Sequence, residues 1–227
     1  MAKVTWHGHA TTSLETQDGT RLVIDPFIEG NPSCELSVDD FEADYILISH
    51  GHSDHVADAI PLAKRTGATI IATYELATYM ERQGLKASPH HIGGGVRYPF
   101  GYVKLTPALH GGIVELEGGE GFTSLPCGFL IRLNEGKSFH HAGDTGLIAS
   151  MQLLAGQVDV AMIPIGDRYT MGPEDAVRAV EMIAPKVVIP IHYGTWPPIE
   201  QDPEAFKKAV GKRAEVEILR PGESYEF

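Results

Sequence analysis

The chain has 227 residues, of which 43% are hydrophobic and 21% charged, a balance that indicates a folded globular protein and excludes extensive disorder. Its formal net charge of −12 argues against a protein that holds nucleic acid mainly through phosphate contacts, because that task needs a basic face. The sequence contains neither a long apolar run typical of a membrane span nor the apolar core of a signal peptide, which predicts a cytoplasmic protein without a membrane partner.

The first part of the chain predicts β-strands. Apolar and polar residues alternate over residues 4–6, 12–15 and 21–24, and the Asp18-Gly19 pair between the last two segments is a strong tight-turn signal. His7 and His9 lie just after the first strand, and Asp25 directly follows the third. We therefore expect an antiparallel start that delivers polar side chains at strand ends.

The next part alternates between strands and helices. Residues 45–48 form a continuous apolar run typical of a buried strand, and residues 69–72 predict another. Helices are predicted over residues 58–65 and 74–83, each closed by a glycine. This order is typical of βαβ units with helices covering a sheet.

The rest of the chain shows the same elements again. Residues 111–126 are rich in glycine and predict a mobile loop that borders a site. Further strands are predicted over 102–108, 128–133, 138–141, 158–163, 187–191 and 216–219, and helices over 148–154, 173–183 and 204–210. The order of these elements suggests two packed sheets with helices outside, and nothing in the sequence suggests a division into domains.

The most informative stretch is the loop after the buried strand at 45–48. It places His50, His52, Asp54 and His55 within six positions. Imidazole and carboxylate groups are the ligands suited to zinc and neighbouring divalent metals. A solvated histidine-rich loop is the alternative interpretation, but the loop lies inside the chain behind a buried strand.

Three other predicted strands also end near a histidine or an aspartate, namely His110, Asp144 and His192. A single histidine of this kind is more often a packed core residue. Their recurrence at strand ends favours a metal site, because side chains held by a rigid sheet can satisfy a defined coordination geometry. Cys34 and Cys127 are far apart in sequence and are expected to be free thiols outside the site.

The stretch His50-Gly51-His52-Ser53-Asp54-His55 resembles the HxHxDH signature of the metallo-β-lactamase superfamily. Residues 6–10, 24–27, 170–176 and 190–193 further resemble the small bacterial and archaeal metal-dependent hydrolases that are similar to L-ascorbate 6-phosphate lactonases. The resemblance covers the whole chain. It implies an α+β fold, the four-layered αβ/βα metallo-β-lactamase sandwich, formed by residues 1–227 as a single domain.

The resemblance also implies a distribution of ligands. His50, His52 and His110 would bind one divalent metal, Asp54, His55 and His192 would bind a second, and Asp144 would bridge both. Zinc is the expected metal, with manganese, nickel or iron as alternatives. Asp54, His192 and His9 are the expected catalytic residues.

The implied activity is hydrolysis of a small ester, lactone or phosphodiester by a hydroxide held between two metals, and an anionic substrate is compatible with it. Two other chemistries stay open, an iron-dependent redox enzyme and a nuclease, as does a metal-binding protein without enzymatic activity. A histidine at His52, where redox diiron relatives usually have a carboxylate, favours hydrolysis. The sequence leaves open homo-oligomer formation and the roles of His7, Asp25, His140, His141 and Tyr193.

Overall fold

The computed structural model describes residues 1–115 and 121–227. The strands are β1 (Lys3–Trp6), β2 (Thr12–Glu15), β3 (Arg21–Ile24), β4 (Tyr45–Leu47), β5 (Thr69–Thr73), β6 (Ala87–His90), β7 (Gly95–Tyr98), β8 (Gly101–Pro107), β9 (Ile113–Glu115), β10 (Gly121–Thr123), β11 (Cys127–Leu133), β12 (Ser138–His141), β13 (Val160–Pro164), β14 (Val187–Ile191), β15 (Glu215–Val216) and β16 (Ser224–Glu226). The helices are α1 (Ser53–Val56), α2 (Ala59–Thr66), α3 (Tyr74–Arg82), α4 (Pro173–Ile183) and α5 (Pro203–Val210). Short 3-10 helices cover Val38–Asp40, Ala149–Leu154 and Pro197–Ile199.

Two mixed, 7-stranded sheets form the centre of the fold. The first has the order β16-β1-β2-β3-β4-β5-β6, and the second has the order β15-β14-β13-β12-β11-β8-β7. In the first sheet β1, β3 and β4 run in the same direction, since β2 is antiparallel to both β1 and β3. In the second sheet β8, β12 and β14 also share one direction. These directions decide which strand ends can meet.

The layers are held together by three groups of buried apolar side chains. The largest group lies between the sheets and includes Trp6 and Leu22 of the first sheet and Phe129 and Met162 of the second. A second group joins the first sheet to α2 and α3, and a third joins the second sheet to α4 and α5. The predicted α+β, four-layered αβ/βα sandwich is therefore confirmed.

Several local predictions differ from the structure. The segment predicted as a helix over 148–154 forms a 3-10 helix, and the strand predicted over 216–219 is reduced to Glu215–Val216. Strands β6, β7 and β16 were not expected, because their side chains do not alternate between apolar and polar in a readable way. They are defined by pairing with a neighbouring strand.

The segment 111–126, predicted as a mobile loop, contains two strands among its described residues. Strands β9 and β10 pair antiparallel, and Val114 is buried against the first sheet's outer apolar group. Residues 116–120, which belong to the same predicted loop, lie outside the described residues. Among the described residues, no helix combines the length and apolar character that crossing a membrane requires.

The packing predicts a large effect for the substitution Phe129→Ala. Phe129 is fully buried between the two sheets, so its removal should lower the free energy of unfolding by about 3–5 kcal/mol through lost burial and a residual cavity. Urea unfolding measures this loss. Val96→Ala is the control, because Val96 is 40% exposed and should change stability by less than about 0.5 kcal/mol. Equal effects of the two substitutions would contradict the described core.

Candidate metal centre

The predicted ligands lie at the carboxyl ends of strands from both sheets. In the first sheet, β4 leads into the loop that contains His50 and His52, and α1 carries Asp54 and His55. In the second sheet, His110 follows β8, Asp144 follows β12 and His192 follows β14. Since β8, β12 and β14 run in the same direction, their three loops emerge at one edge, opposite the loops of the first sheet. The chain thereby gathers side chains that are far apart in sequence.

One group of donor atoms consists of three imidazole nitrogens. His50 Nε2 lies 2.9 Å from His52 Nδ1, and His110 Nε2 lies 3.3 Å from the same atom. The loop between His50 and His52 can approach strand β9 closely because residue 51 is glycine: a Cβ there would lie 2.3 Å from a methyl carbon of Val114. Burial lowers the pKa of His50, His52 and His110, which favours the neutral imidazoles that metals bind.

The second group is formed by His9, Asp54, His55 and His192, whose candidate ligand atoms all lie within 4.8 Å of one another. Asp144 connects the two groups. Its Oδ2 atom lies 2.9 Å from His192 Nε2, 3.4 Å from His55 Nε2 and 3.5 Å from His110 Nε2. One carboxylate oxygen thus faces imidazoles of both groups, as a bridging ligand would.

The polar atoms at the base of this cluster fit a bound cation. His55 Nε2, His192 Nε2 and Asp144 Oδ1 are buried and have no hydrogen-bond partner within residues 1–115 and 121–227. A buried polar atom without a partner costs free energy, so such atoms are rare unless something else satisfies them. The donor set of imidazoles and carboxylates suits zinc and other borderline divalent ions.

Asp25 lies behind the ligands and orients two of them. Its Oδ2 accepts hydrogen bonds from His55 Nδ1 at 2.9 Å and from the Ser49 hydroxyl at 2.6 Å. The Ser49 hydroxyl lies 2.9 Å from His50 Nδ1 and accepts that N–H, since its own proton goes to Asp25. These contacts place the remaining lone pairs on the Nε2 atoms of His50 and His55. A carboxylate behind a ligand histidine is a common arrangement at metal sites.

The electrostatics of the cluster favour positive charge. Burial alone would raise the pKa of Asp144, but His192 and His55 outweigh it and hold that pKa well below its ordinary value. Burial alone would lower the pKa of His55, but Asp144 and Asp25 outweigh it and hold that pKa well above its ordinary value. Without a metal, Asp144 and Asp25 therefore favour a proton on His55.

His9, one of the expected catalytic residues, is fully buried. Its Nε2 lies 3.1 Å from Asp54 Oδ2, and its Nδ1 lies 2.9 Å from the Thr195 hydroxyl. Because the carboxylate accepts the Nε2 proton, Nδ1 accepts from Thr195. Asp54 is the more accessible partner, with 27% of its side chain exposed. His9 is therefore placed to orient Asp54.

The other residues whose roles the sequence left open have structural contacts. His7 pairs with Ser13 and packs edge-on against Phe41, and Tyr193 stacks on Trp6. His141 supports the loop before Asp144, since its Nδ1 accepts the Gly143 N–H and its Nε2 donates to the Ala10 carbonyl. His140 bonds the Phe129 carbonyl through Nδ1 on the opposite face of the sheet.

Sequence reasoning did not identify Ser49, and it gave no orienting role to Thr195. Neither residue carries a signal of its own, because a serine or a threonine in a loop has many ordinary uses. Backbone conformation is a clearer marker: His9, Asp25 and His192 all have positive φ angles of 53°, 49° and 55°. Such angles are uncommon for residues other than glycine, and they concentrate at functional sites.

Comparison with known proteins agrees with this geometry. Residues 20–193 match the family model described as "Beta-lactamase superfamily domain". A "UPF0173 metal-dependent hydrolase" of Heliobacterium modesticaldum is 49% identical over 236 residues, which cover 99% of this chain and 97% of the relative. Igni18, a metallo hydrolase of Ignicoccus hospitalis, is 35% identical with a TM-score of 0.89, covering 100% of this chain and 99% of its own. A diiron β-hydroxylase, CmlA of Streptomyces venezuelae, shares the fold alone, with a TM-score of 0.77, 17% identity and coverage of 100% of this chain and 54% of CmlA.

The contacts of Asp25 predict that Asp25→Asn weakens metal binding. The substitution keeps the shape of the side chain but removes the charge that fixes the ring of His55, so zinc affinity should fall by about 10-fold to 100-fold. Competition with a chromophoric chelator measures it. Asp175→Asn is the matched control, because Asp175 pairs only with Arg178 on the surface among its described contacts. Unchanged zinc affinity in Asp25→Asn would contradict the orienting role.

Burial of His140 predicts a loss of stability in acid. Burial lowers its pKa from 6.5 to about 4, so between these values the unfolded chain binds a proton that the folded chain does not. Stability is therefore complete above pH 6.5 and falls as the pH is lowered, by about 2 kcal/mol at pH 5 for this residue. Urea unfolding of chelator-treated protein should show a weaker pH dependence for His140→Phe than for wild type. His91→Phe, at an exposed position, should keep the wild-type dependence.

Proposed function

The chain belongs to the β-lactamase superfamily and is a metal-dependent hydrolase, and we propose that its histidine and aspartate cluster is a two-metal centre that hydrolyses a small ester, lactone or phosphodiester. The observation that carries this proposal is the buried Asp144 Oδ2, which faces His55, His110 and His192 within 3.5 Å. A carboxylate shared between two groups of imidazoles is suited to two neighbouring cations.

We assign His50, His52 and His110 to one metal, Asp54, His55 and His192 to the other, and Asp144 to both. The short distances among the three imidazole nitrogens of the first group support the first assignment. The proximity of Asp54, His55 and His192 supports the second. Zinc is the metal we propose, with manganese, nickel or iron as alternatives that the same ligands accept.

Bound divalent metals would lower the pKa of water to supply a nucleophile and would polarise the bond to be cleaved. The residues of the chain position the ligand side chains and determine which of their nitrogen atoms carry protons. Asp25 and Ser49 fix which nitrogens of His50 and His55 are free to act as ligands. Among the residues predicted to be catalytic, Asp54 and His192 act as ligands, and His9 acts by holding Asp54.

Access to the centre is from one side. His55 and His192 are buried at its base, whereas His110 is 13% and Asp54 27% exposed. The exposed apolar residues Leu109 and Trp196 border this side: Leu109 precedes His110, and the ring of Trp196 lies 5.0 Å from that of His9. These two exposed apolar side chains favour a small substrate with an apolar portion.

A nuclease is disfavoured by the net charge of −12, which opposes binding of a polyanion. We also propose that residues 1–227 act as a single domain. A cytoplasmic location is supported by the state of both cysteines, since Cys34 and Cys127 are free thiols.

The proposal predicts loss of hydrolysis without loss of fold in His52→Ala. Protein loaded with zinc or manganese should hydrolyse at least one member of a panel of small esters, lactones and phosphodiesters. The substitution should lower kcat/KM by more than about 100-fold, beyond the loss that follows from changing a residue outside the ligand set. Circular dichroism checks the fold, and His91→Ala, at an exposed position, is the control.

Metal analysis distinguishes the alternatives. Tightly bound iron together with oxygen consumption, and no hydrolysis of the panel, would contradict a hydrolase and favour the redox enzyme. Full activity of His52→Ala would contradict the assignment of the centre.

A further inference from the structure

A cavity of about 180 Å³ lies on the outer face of the second sheet. Its floor is formed by strands β8, β11 and β12, and the 3-10 helix Ala149–Leu154 forms a wall through Met151 and Leu154. A cavity of about 150 Å³ lined by apolar side chains is large enough to hold benzene. The space therefore suits a single substituted ring, against which the sulfur of Met151 can make a favourable contact.

The floor has a defined polarity from one side to the other. Lys104 is the register partner of Leu130, and Leu130 is the partner of His140, so these three residues form a row across the strands. All of them line the cavity. The row spans two strand spacings, about 10 Å. It begins with a cation, continues with an apolar residue and ends with an imidazole.

The His140 end offers a hydrogen-bond acceptor. Its Nδ1 lies 3.0 Å from the Phe129 carbonyl oxygen, which can only accept, so the proton of the neutral ring is on Nδ1 and the lone pair is on Nε2. His140 is 3% exposed. The buried Thr106 lies on the same strand as Lys104 and also lines the cavity, and its Oγ1 has no hydrogen-bond partner in the described parts of the chain. A ligand hydroxyl group would satisfy the lone pair of His140 at this end, and a ligand acceptor would satisfy the Thr106 hydroxyl near Lys104.

The opposite end is positively charged. Lys104 forms no ion pair with any residue in 1–115 or 121–227. Arg132 also lines the cavity, and within the same residues its guanidinium donates to the neutral amide of Gln157 and lies 5.9 Å from the ring of Tyr102 on β8. Neither basic group has an acidic partner among the described residues, so both charges are available at the rim of the cavity. They are placed to attract a carboxylate.

We propose that this cavity is a second ligand site, which binds a small aromatic carboxylate with a hydroxyl group opposite its carboxylate. The carboxylate faces Lys104 and Arg132, the ring lies over Leu130 against Met151, and the hydroxyl donates to His140 Nε2. The volume, the row of side chains and the buried Thr106 hydroxyl, which can donate to the carboxylate near Lys104, support this occupant. The inference does not rest on the function proposed for the metal centre.

The cavity also touches the loop that carries Asp144. Ala142 and Thr145 line it and lie on either side of that aspartate. The Thr145 hydroxyl accepts the Leu109 N–H at 2.9 Å, which ties this loop to the one that carries His110. A ligand in the cavity would therefore contact the support of two metal-binding loops without reaching the metals.

Isothermal titration of the metal-loaded protein with para-hydroxyphenylacetate tests the site. We expect binding at one molecule per chain, with para-hydroxyphenylethanol, the neutral counterpart, at least about tenfold weaker because it cannot pair with Lys104. Lys104→Gln should weaken the acid by about tenfold and leave the alcohol unchanged. Lys137→Gln, a lysine outside the cavity, is the matched control and should bind like wild type.

Two further variants test the other parts of the site. His140→Phe should abolish the preference for para-hydroxyphenylacetate over phenylacetate, because the acceptor is lost while the ring is kept. Ser150→Trp, at a partly exposed position of the cavity wall, should fill the space and remove binding of all three probes.

Three outcomes would overturn the proposal. They are no binding of para-hydroxyphenylacetate to folded wild-type protein, binding that Ser150→Trp leaves intact, and binding that disappears when a chelator removes the metals. The last outcome would show that the carboxylate binds at the metal centre. The first outcome has a specific explanation if the wild-type protein is an oligomer that Leu153→Asp dissociates. The cavity would then be assigned to contacts between copies, since Leu153 is 75% exposed at its rim.

Discussion

The buried carboxylate of Asp144 needs positive charge nearby, and the centre of this protein is arranged around that requirement. Asp144 is almost completely removed from solvent, and an isolated carboxylate in such a place is strongly unfavourable. The side chains that face this carboxylate are imidazoles from both sheets, and not a lysine or an arginine. Because imidazoles can give up their protons and offer lone pairs, the same surroundings can hold divalent cations.

The two sheets contribute in different ways to this arrangement. The first sheet supplies a compact loop and the short helix α1, and Asp25 behind them fixes the histidine rings. The second sheet supplies single residues from three strands. The carbonyl of His9 joins the two sides, since it accepts the N–H of His192 and the indole N–H of Trp6, each at 2.9 Å. Precise placement therefore depends on the packing of one sheet against the other.

The layered fold and the cluster of metal-ligand side chains could be predicted from the sequence, because both leave strong local patterns. Apolar runs such as the one before Ser49 mark buried strands, and a metal site needs histidines and aspartates at their ends. Strands β7 and β16 could not be predicted, since they are held by pairing and not by burial of their own side chains. The orienting role of Ser49 was also hidden, because it depends on where Asp25 lies in space.

The state of His55 has a consequence for how the protein would exchange its ions with solution. In the absence of a metal, Asp144 and Asp25 raise the pKa of this ring and favour a proton on it. A metal bound at this cluster would take the place of that proton, and the surrounding side chains would need little reorganisation. Metal binding would then release a proton and would weaken in acid.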